Sequence, residues 1–357
     1  MKSKALLFEI LKSALWESGA GQLLDMTSKE VAAIQNEAER QAVTGLVFDR
    51  LSIEKVSLPR DLVYQYIQMS QQIKHQNMLM NKSLCQFTKI LEENGIGYVV
   101  VKGQSVACHY PKPLLRQPGD VDFYCSKNDF EKAKNLLPML LGITFEGLHS
   151  RHHYSFDYQG IHYEMHFSLT DFYNKKRDAY WHHLVDDTPT ATFELNGQKI
   201  ATLELTLHAF YIFQHLYEHL MELGVGLRQF CDWAVMLHSC RAQIDHVRLR
   251  QYAETLGMDK AMRACGVILI DYLGLPEEDF PYRLTDKDRK YSKGILDVVF
   301  YRGNMGHYNK RNGFRGRKHQ VEATGIKLSH FVKFFPLAPK FTWQWICTEI
   351  PRKIRKA

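Results

Sequence analysis

The chain has 357 residues, 45% of them hydrophobic, enough to fill the cores of two or three ordinary domains, which excludes a disordered chain. Seven cysteines without a Cys-x-x-Cys pair indicate neither a disulfide framework nor a zinc ribbon, so buried thiols in a soluble, cytoplasmic protein are expected. The net charge of +7 gathers toward the C-terminus and attracts polyanions of any kind without naming one.

Near the N-terminus, Glu9 and Lys12 interrupt the apolar run before it can act as a signal segment. No stretch approaches the roughly 18 apolar residues of a membrane span, so no integral membrane segment is expected. Residues 1–94 read as helical, with apolar residues three and four apart through Leu62, Tyr66, Met69, Leu84, Phe87 and Leu91, and Pro59 as a first-turn proline. Residues 95–203 alternate. The spacing predicts a strand at Val99, a short helix, a strand at Asp120, a helix from Asp129 to about Leu137, and then a meander. In that meander Gly160 joins His153–Tyr158 to Ile161–Phe167, and Asn196-Gly197 joins Ala191–Leu195 to Gln198–Thr202. Residues 204–276 predict an antiparallel helical bundle, with helices near Thr206–Leu223, Gly226–Ser239, Ile244–Leu256 and Asp259–Leu273. Residues 277–357 form a basic, aromatic-rich helical segment. The expected class is α+β: a small mixed sheet with flanking helices, N-terminal helices and a C-terminal bundle.

Chemistry concentrates in the middle part. In Gly119-Asp120-Val121-Asp122-Phe123-Tyr124, strand geometry sends Asp120 and Asp122 to one face and Val121 and Phe123 to the other. Glu164 lies in a second strand, Ile161–Phe167, and His166 shares its face. Carboxylates held this close repel, and a hard divalent cation completed by substrate phosphate oxygens is the economical relief. An Asp-x-Asp pair at a strand end also serves simply to solvate a turn. Upstream, the run Val99-Val100-Val101-Lys102-Gly103 is a buried strand stopping at glycine, followed by the helix-like Gln104-Ser105-Val106. Such a turn offers main-chain N–H groups to phosphate.

The order Lys102-Gly103, then Arg116-Gln117-Pro118-Gly119-Asp120-Val121-Asp122, then Glu164-Met165-His166 resembles the uncharacterised bacterial nucleotidyltransferase family of the DNA polymerase beta superfamily. The resemblance implies that residues 95–203 are a nucleotidyltransferase core, with Asp120 and Asp122 as the metal-binding pair and Glu164 as the third carboxylate. It implies that Lys102 and Gly103 line the triphosphate with Arg116 nearby, so that the candidate nucleotide-binding set is Lys102, Gly103, Gln104, Ser105, Arg116, Gly119 and His166. Lys102-Gly103 stands where Gly-Ser is usual in the wider superfamily. The activity implied moves a nucleoside monophosphate from an NTP to an acceptor hydroxyl with loss of pyrophosphate, using Mg²⁺ or Mn²⁺. The acceptor, whether small molecule, sugar, protein or nucleic acid, is not encoded legibly. The alternative is a catalytically silent nucleotide-binding or regulatory protein on the same fold.

Three further features bear on function. His208, His215 and His219 recur at helical spacing, a stripe better suited to packing than to metal. Arg151-His152-His153 precedes a strand, and one of the two histidines should face Glu164. The basic cluster Lys310–His319 and the tail Pro351–Lys356 suit a peripheral anionic partner or a solvated loop equally.

Overall fold

The computed structural model describes residues 2–18, 26–53, 60–148, 150–172, 174–222, 224–306, 317–340, 342–343 and 346–347, with only the main chain of 28 and 317–324. Pro59, the basic cluster from Lys310 to Gly316 and the tail Pro351–Lys356 lie outside the described residues.

Helices α1 (Lys2–Trp16), α2 (Ser28–Arg40), α3 (Thr44–Ile53) and α4 (Arg60–Glu93) come first. There follow β1 (Val99–Val101), α5 (Gly103–Ala107), β2 (Val121–Tyr124), α6 (Lys127–Leu141), β3 (His153–Tyr158), β4 (Ile161–His166), α7 (Lys175–Asp187), β5 (Ala191–Leu195) and β6 (Gln198–Thr202). The chain then runs through α8 (Leu205–Glu222), α9 (Leu227–Ser239), α10 (His246–Leu256), α11 (Asp259–Val267), α12 (Asp286–Arg289), α13 (Ser292–Arg302) and α14 (Arg317–Phe334). It forms two units, one of Gln71–His208 and the other of Met1–Ser70 with Ala209–Ala357.

The first of these carries the expected mixed sheet, six strands in the order β3-β4-β2-β1-β6-β5. Strands β2 and β4 pair in parallel, with Asp122 opposite Glu164 and Tyr124 opposite His166. Strand β1 runs antiparallel to β2, placing Val101 opposite Asp122. Both hairpins turn on two residues of positive φ, Gln159-Gly160 at 53° and 73° and Asn196-Gly197 at 51° and 78°. Only that handedness matches the twist of the flanking strands.

One face of this sheet is closed by helix. Met80, Leu84, Phe87 and Leu91 recur along α4 at a single stripe and meet Val121, Phe123, Tyr163 and Met165 in the apolar core, with Phe130, Ala133 and Leu137 of α6. The Phe87 ring lies 5.1 Å from Phe123 and 4.8 Å from Tyr163. Burying each of these rings contributes about 1.5–3 kcal/mol, so the inward set 121, 123, 163 and 165 fixes register. A slip by one residue would turn Asp122 and Glu164 into the apolar core instead.

Two elements differ from expectation. The stretch between β4 and β5 holds helix α7, not only a meander. Its sequence is mostly polar and buries only Trp181 and Val185, so apolar periodicity is faint, while Asn174 caps it by accepting from the N–H groups of Lys176 and Arg177. Helix α11 stops at Val267 and a single π-turn, Ile268–Tyr272, continues to the bend at Gly274.

Helices α8, α9 and α10 occupy nearly the predicted spans. Phe213 packs at 5.1 Å against Trp233, which in turn meets Phe280 at 5.7 Å. A Cβ at Gly266 would fall 2.1 Å from the Phe280 ring, so only glycine lets α11 approach it. Among the described residues no helix is long and apolar enough to cross a membrane.

The buried pair Ser83 Oγ and Tyr163 Oη, 2.8 Å apart, ties α4 to the strand that carries Glu164. Tyr163→Phe leaves the Ser83 hydroxyl buried without this partner and should cost about 1–3 kcal/mol, measured as a lower urea midpoint with an unchanged far-ultraviolet spectrum.

Candidate active site

The turn from β1 into α5 is strained. Lys102 has φ 58° and ψ −155°, a combination that a residue with a Cβ adopts only when its surroundings force it. Three contacts do so. The Lys102 N–H donates to His208 Nε2 at 3.3 Å, Ser105 Oγ donates to the Lys102 carbonyl at 2.7 Å, and the ammonium lies 2.8 Å from Asp122 Oδ1. His208 is fully buried, and burial, followed by the nearby His109, lowers its pKa to about 3. It is therefore a neutral acceptor, and its Nδ1–H faces Thr202 Oγ1 at 3.4 Å, which donates to the Val100 carbonyl at 2.7 Å. Gly103, at φ 45°, completes the turn, and a Cβ there would sit 3.4 Å from the Asp120 carbonyl.

The acids converge as the i, i+2 spacing and the parallel register require. Asp122 is buried, flanked by Lys102 and by His166, whose Nε2 is 2.9 Å from the same Oδ1. Taking a carboxylate out of water costs several kcal/mol unless charge and hydrogen bonds compensate. Here burial pushes the Asp122 pKa up, but the Lys102 charge and the His166 bond outweigh it and hold the carboxyl below its ordinary range. Glu164 lies 3.4 Å from His166 Nε2 and 3.6 Å from His153 Nε2. Asp120 stands exposed at the mouth of the strand, where desolvation of its carboxyl, then the charges of Asp122 and Glu164, push its pKa up. His166 is itself raised, since its bonds to Asp122 and Glu164 overcome burial.

A cation is thus not the only relief for the acid pair: Lys102 and His166 satisfy Asp122, while Asp120 and Glu164 keep their mutual repulsion. Of the remaining nucleotide-set residues, Gln104 points its amide to Asn77 and Asn81, and Ser105 serves the turn. Arg116 is buried, its Nη1 3.4 Å from the Gln117 carbonyl and its own carbonyl accepting from Asn77. Gly119 is exposed just before Asp120. Through these contacts Gln104 and Ser105, with Gly103 at positive φ, also hold the loop in shape.

Sequence alone left His152 and His153 unresolved. The structure sends His153 to Glu164 and His152 toward Asp171, 3.7 Å away. The part played by His208 has no signal in the local sequence. The parallel pairing of β1 with β6 at Val100 and Thr202 brings the start of α8 beneath the strained turn, a relation that no local pattern encodes. His215 and His219, by contrast, meet each other, Nε2 to Nε2 at 3.0 Å.

The donor set fits a divalent cation. His153, Glu164 and His166 each offer one ligand atom, all within 4.8 Å of one another, and the Asp120 and Asp122 carboxylates adjoin them. Carboxylate oxygens alone suit Mg²⁺, while added imidazole nitrogens suit Mn²⁺ or Zn²⁺ better.

The sequence matches a family model described as "Uncharacterised nucleotidyltransferase" over residues 27–273. No curated protein matches it. A solved structure, an antigenic nucleotidyltransferase-like protein from Paracoccidioides brasiliensis, is similar at 12% identity with a TM-score of 0.38, covering 62% of this chain and 96% of that one. At that TM-score the likeness carries no argument.

Lys102→Ala keeps the positive φ and strips Asp122 of its ammonium, so it should cost about 3 kcal/mol; Lys102→Gly removes the same charge but relieves the turn and should be about 1–2 kcal/mol less damaging. Thermal unfolding of both variants measures the gap. Because the folded Asp122 pKa is depressed, its contribution is present above the unfolded value near 3.9 and lost as pH falls through the folded one. Wild type should therefore lose stability more steeply below about pH 4 than Lys102→Ala does, a difference read from melting temperature against pH.

Proposed function

The chain belongs to the uncharacterised nucleotidyltransferase family, and on that footing we propose that it transfers a nucleoside monophosphate from an NTP to an acceptor hydroxyl in a divalent-cation-dependent reaction. The observation that best supports this reading is the parallel register of Asp122 with Glu164, next to an Asp120 carboxyl that both push up. Asp120, Asp122 and Glu164 would hold Mg²⁺ or Mn²⁺, with His153 and His166 adding nitrogen to the set. When bound, the cation supplies Lewis acidity and neutralises triphosphate charge.

The residues of the chain account for the rest. Lys102, at the rim of the turn, presents an ammonium to developing phosphate charge, with triphosphate oxygens competing against Asp122 for it. Until a cation takes its Nε2, His166 holds both carboxylates in place through that nitrogen. In the transfer, the acceptor oxygen bonds to the α-phosphorus, the bond to the β-phosphate oxygen breaks, and the electron pair leaves with pyrophosphate. The acceptor proton passes to the carboxylate of Glu164, which is partly exposed on the same sheet face. A cytoplasmic setting, where NTPs and Mg²⁺ occur together, goes with this reading.

The 2.8 Å Lys102–Asp122 contact favours a second reading, a nucleotide-binding protein without turnover, because the ammonium occupies an oxygen that a cation would use. Pyrophosphate release with each common NTP, over a panel of hydroxyl acceptors and with Mg²⁺ or Mn²⁺, separates the two. Catalysis predicts release that Asp122→Asn and Glu164→Gln each lower by about 10²–10³-fold. The silent reading predicts NTP binding with no release. Loss of both binding and release in the wild-type protein would reject the site altogether.

A further inference from the structure

In the transfer reading the histidines only supplement a carboxylate site. From the pairing of β3 with β4 we infer more: His153, Glu164 and His166 by themselves hold one borderline-soft divalent transition ion such as Zn²⁺, before any nucleotide arrives and apart from the Asp120 and Asp122 carboxylates. This rests on the transfer reading for its setting alone, since no step of transfer is needed for the ion to bind.

Two paired strands fix the three donors. His153 lies directly opposite His166 in the antiparallel register, and Glu164, two residues before His166, projects to the same face. Cross-strand neighbours hold their Cβ atoms about 4.5–5.5 Å apart, so main-chain pairing, not a loop, sets the spacing. His153 Nε2 is 3.6 Å from Glu164 Oε1, and His166 Nε2 is 3.4 Å from Glu164 Oε2. All three ligand atoms lie within 4.8 Å of one another. The 3.6 Å contact is too long for a hydrogen bond. A tetrahedral ion with bonds of about 2.0–2.2 Å to nitrogen and oxygen sets neighbouring donors about 3.4 Å apart, close to both spacings.

The donor chemistry selects the ion. Two imidazole nitrogens in three suit Zn²⁺, whereas Mg²⁺ prefers oxygen and keeps much of its water. Three protein donors also leave a position open, as in zinc sites that do chemistry. Charge balance permits the exchange. His166 is 5% exposed and its Nδ1 is buried without a hydrogen-bond partner, so its Nε2 makes the contacts to Asp122, at 2.9 Å, and to Glu164. When the ion binds, the Nε2–H bond breaks, the proton leaves to solvent and the nitrogen lone pair goes to the metal. Asp122 still has the Lys102 ammonium 2.8 Å away, so no buried carboxylate is stranded. His153, partly exposed on the edge strand of the sheet, gives the ion its way in.

Calorimetric titration of Zn²⁺ into the full chain, stripped with chelator and without nucleotide, tests this. One site per chain should fill, and a large excess of Mg²⁺ should leave it filled. His153→Gln and the isosteric Glu164→Gln, each checked for an unchanged near-ultraviolet circular dichroism spectrum, should weaken binding by about 10²-fold or more. Asp120→Asn should bind within about threefold of wild type. So should His215→Gln/His219→Gln, which removes the other close histidine pair. The inference is overturned if no site fills, if Mg²⁺ displaces Zn²⁺, if both ligand variants bind as wild type does, or if either control variant abolishes binding. Zn²⁺ binding without pyrophosphate release upholds this site and rejects transfer. Release with Mg²⁺ from a chain that binds no Zn²⁺ does the reverse.

Discussion

The strained main chain at Lys102 is the constraint on which the candidate site depends. At a cost of about 1–3 kcal/mol, it turns the chain out of β1 sharply enough to bring an ammonium against Asp122 in a strand that runs the other way. A relaxed β conformation would send that side chain elsewhere. What holds the strain is polar and buried: neutral His208, Thr202 and Ser105, each satisfied within the same cluster. Buried polar networks specify a single arrangement only when every member has a partner. The position of Lys102 is in that sense written partly in Thr202 and His208, far along the chain from it.

This explains which parts of the site could be read from sequence. The convergence of Asp122 and Glu164 follows from period-two alternation in two strands whose opposite sides are Val121, Phe123, Tyr163 and Met165, residues that must face a core. Both hairpins and the α8–α11 helices are legible for similar reasons, because glycine at positive φ and apolar spacing act locally. Helix α7 was hidden because its burial is confined to Trp181 and Val185. The counter-charges of Asp122 were hidden for another reason. Lys102 could be read as facing phosphate but not as an ion-pair partner, since that relation depends on strand order, and strand order is not a local property.

His166 and His153 change what the acid cluster is. Three carboxylates alone would be a hard oxygen cage; two imidazoles against Glu164 make it a mixed nitrogen and oxygen set. In the same stroke His166 lends a proton to the Asp122 and Glu164 oxygens, so any cation entering through nitrogen must displace that proton first. On the proposed reading, cation occupancy and proton release would be coupled at His166, and affinity would fall as the medium becomes more acidic.

The same ledger of charge bears on Lys102. With the Lys102 ammonium and the His166 ring both on Asp122, that acid is compensated from two sides, while Asp120 and Glu164 remain mutually repelled. On the proposed reading, a cation would first meet the exposed Asp120 and the partly exposed Glu164, rather than the buried Asp122. Asp122 would join once Lys102 found another anion, and a triphosphate would be such an anion. Nucleotide would then draw the lysine off while cation takes its place, each step making the other more favourable. That reciprocity is what linkage between two ligands requires, and it gives the unusual lysine at this turn a reason to be there.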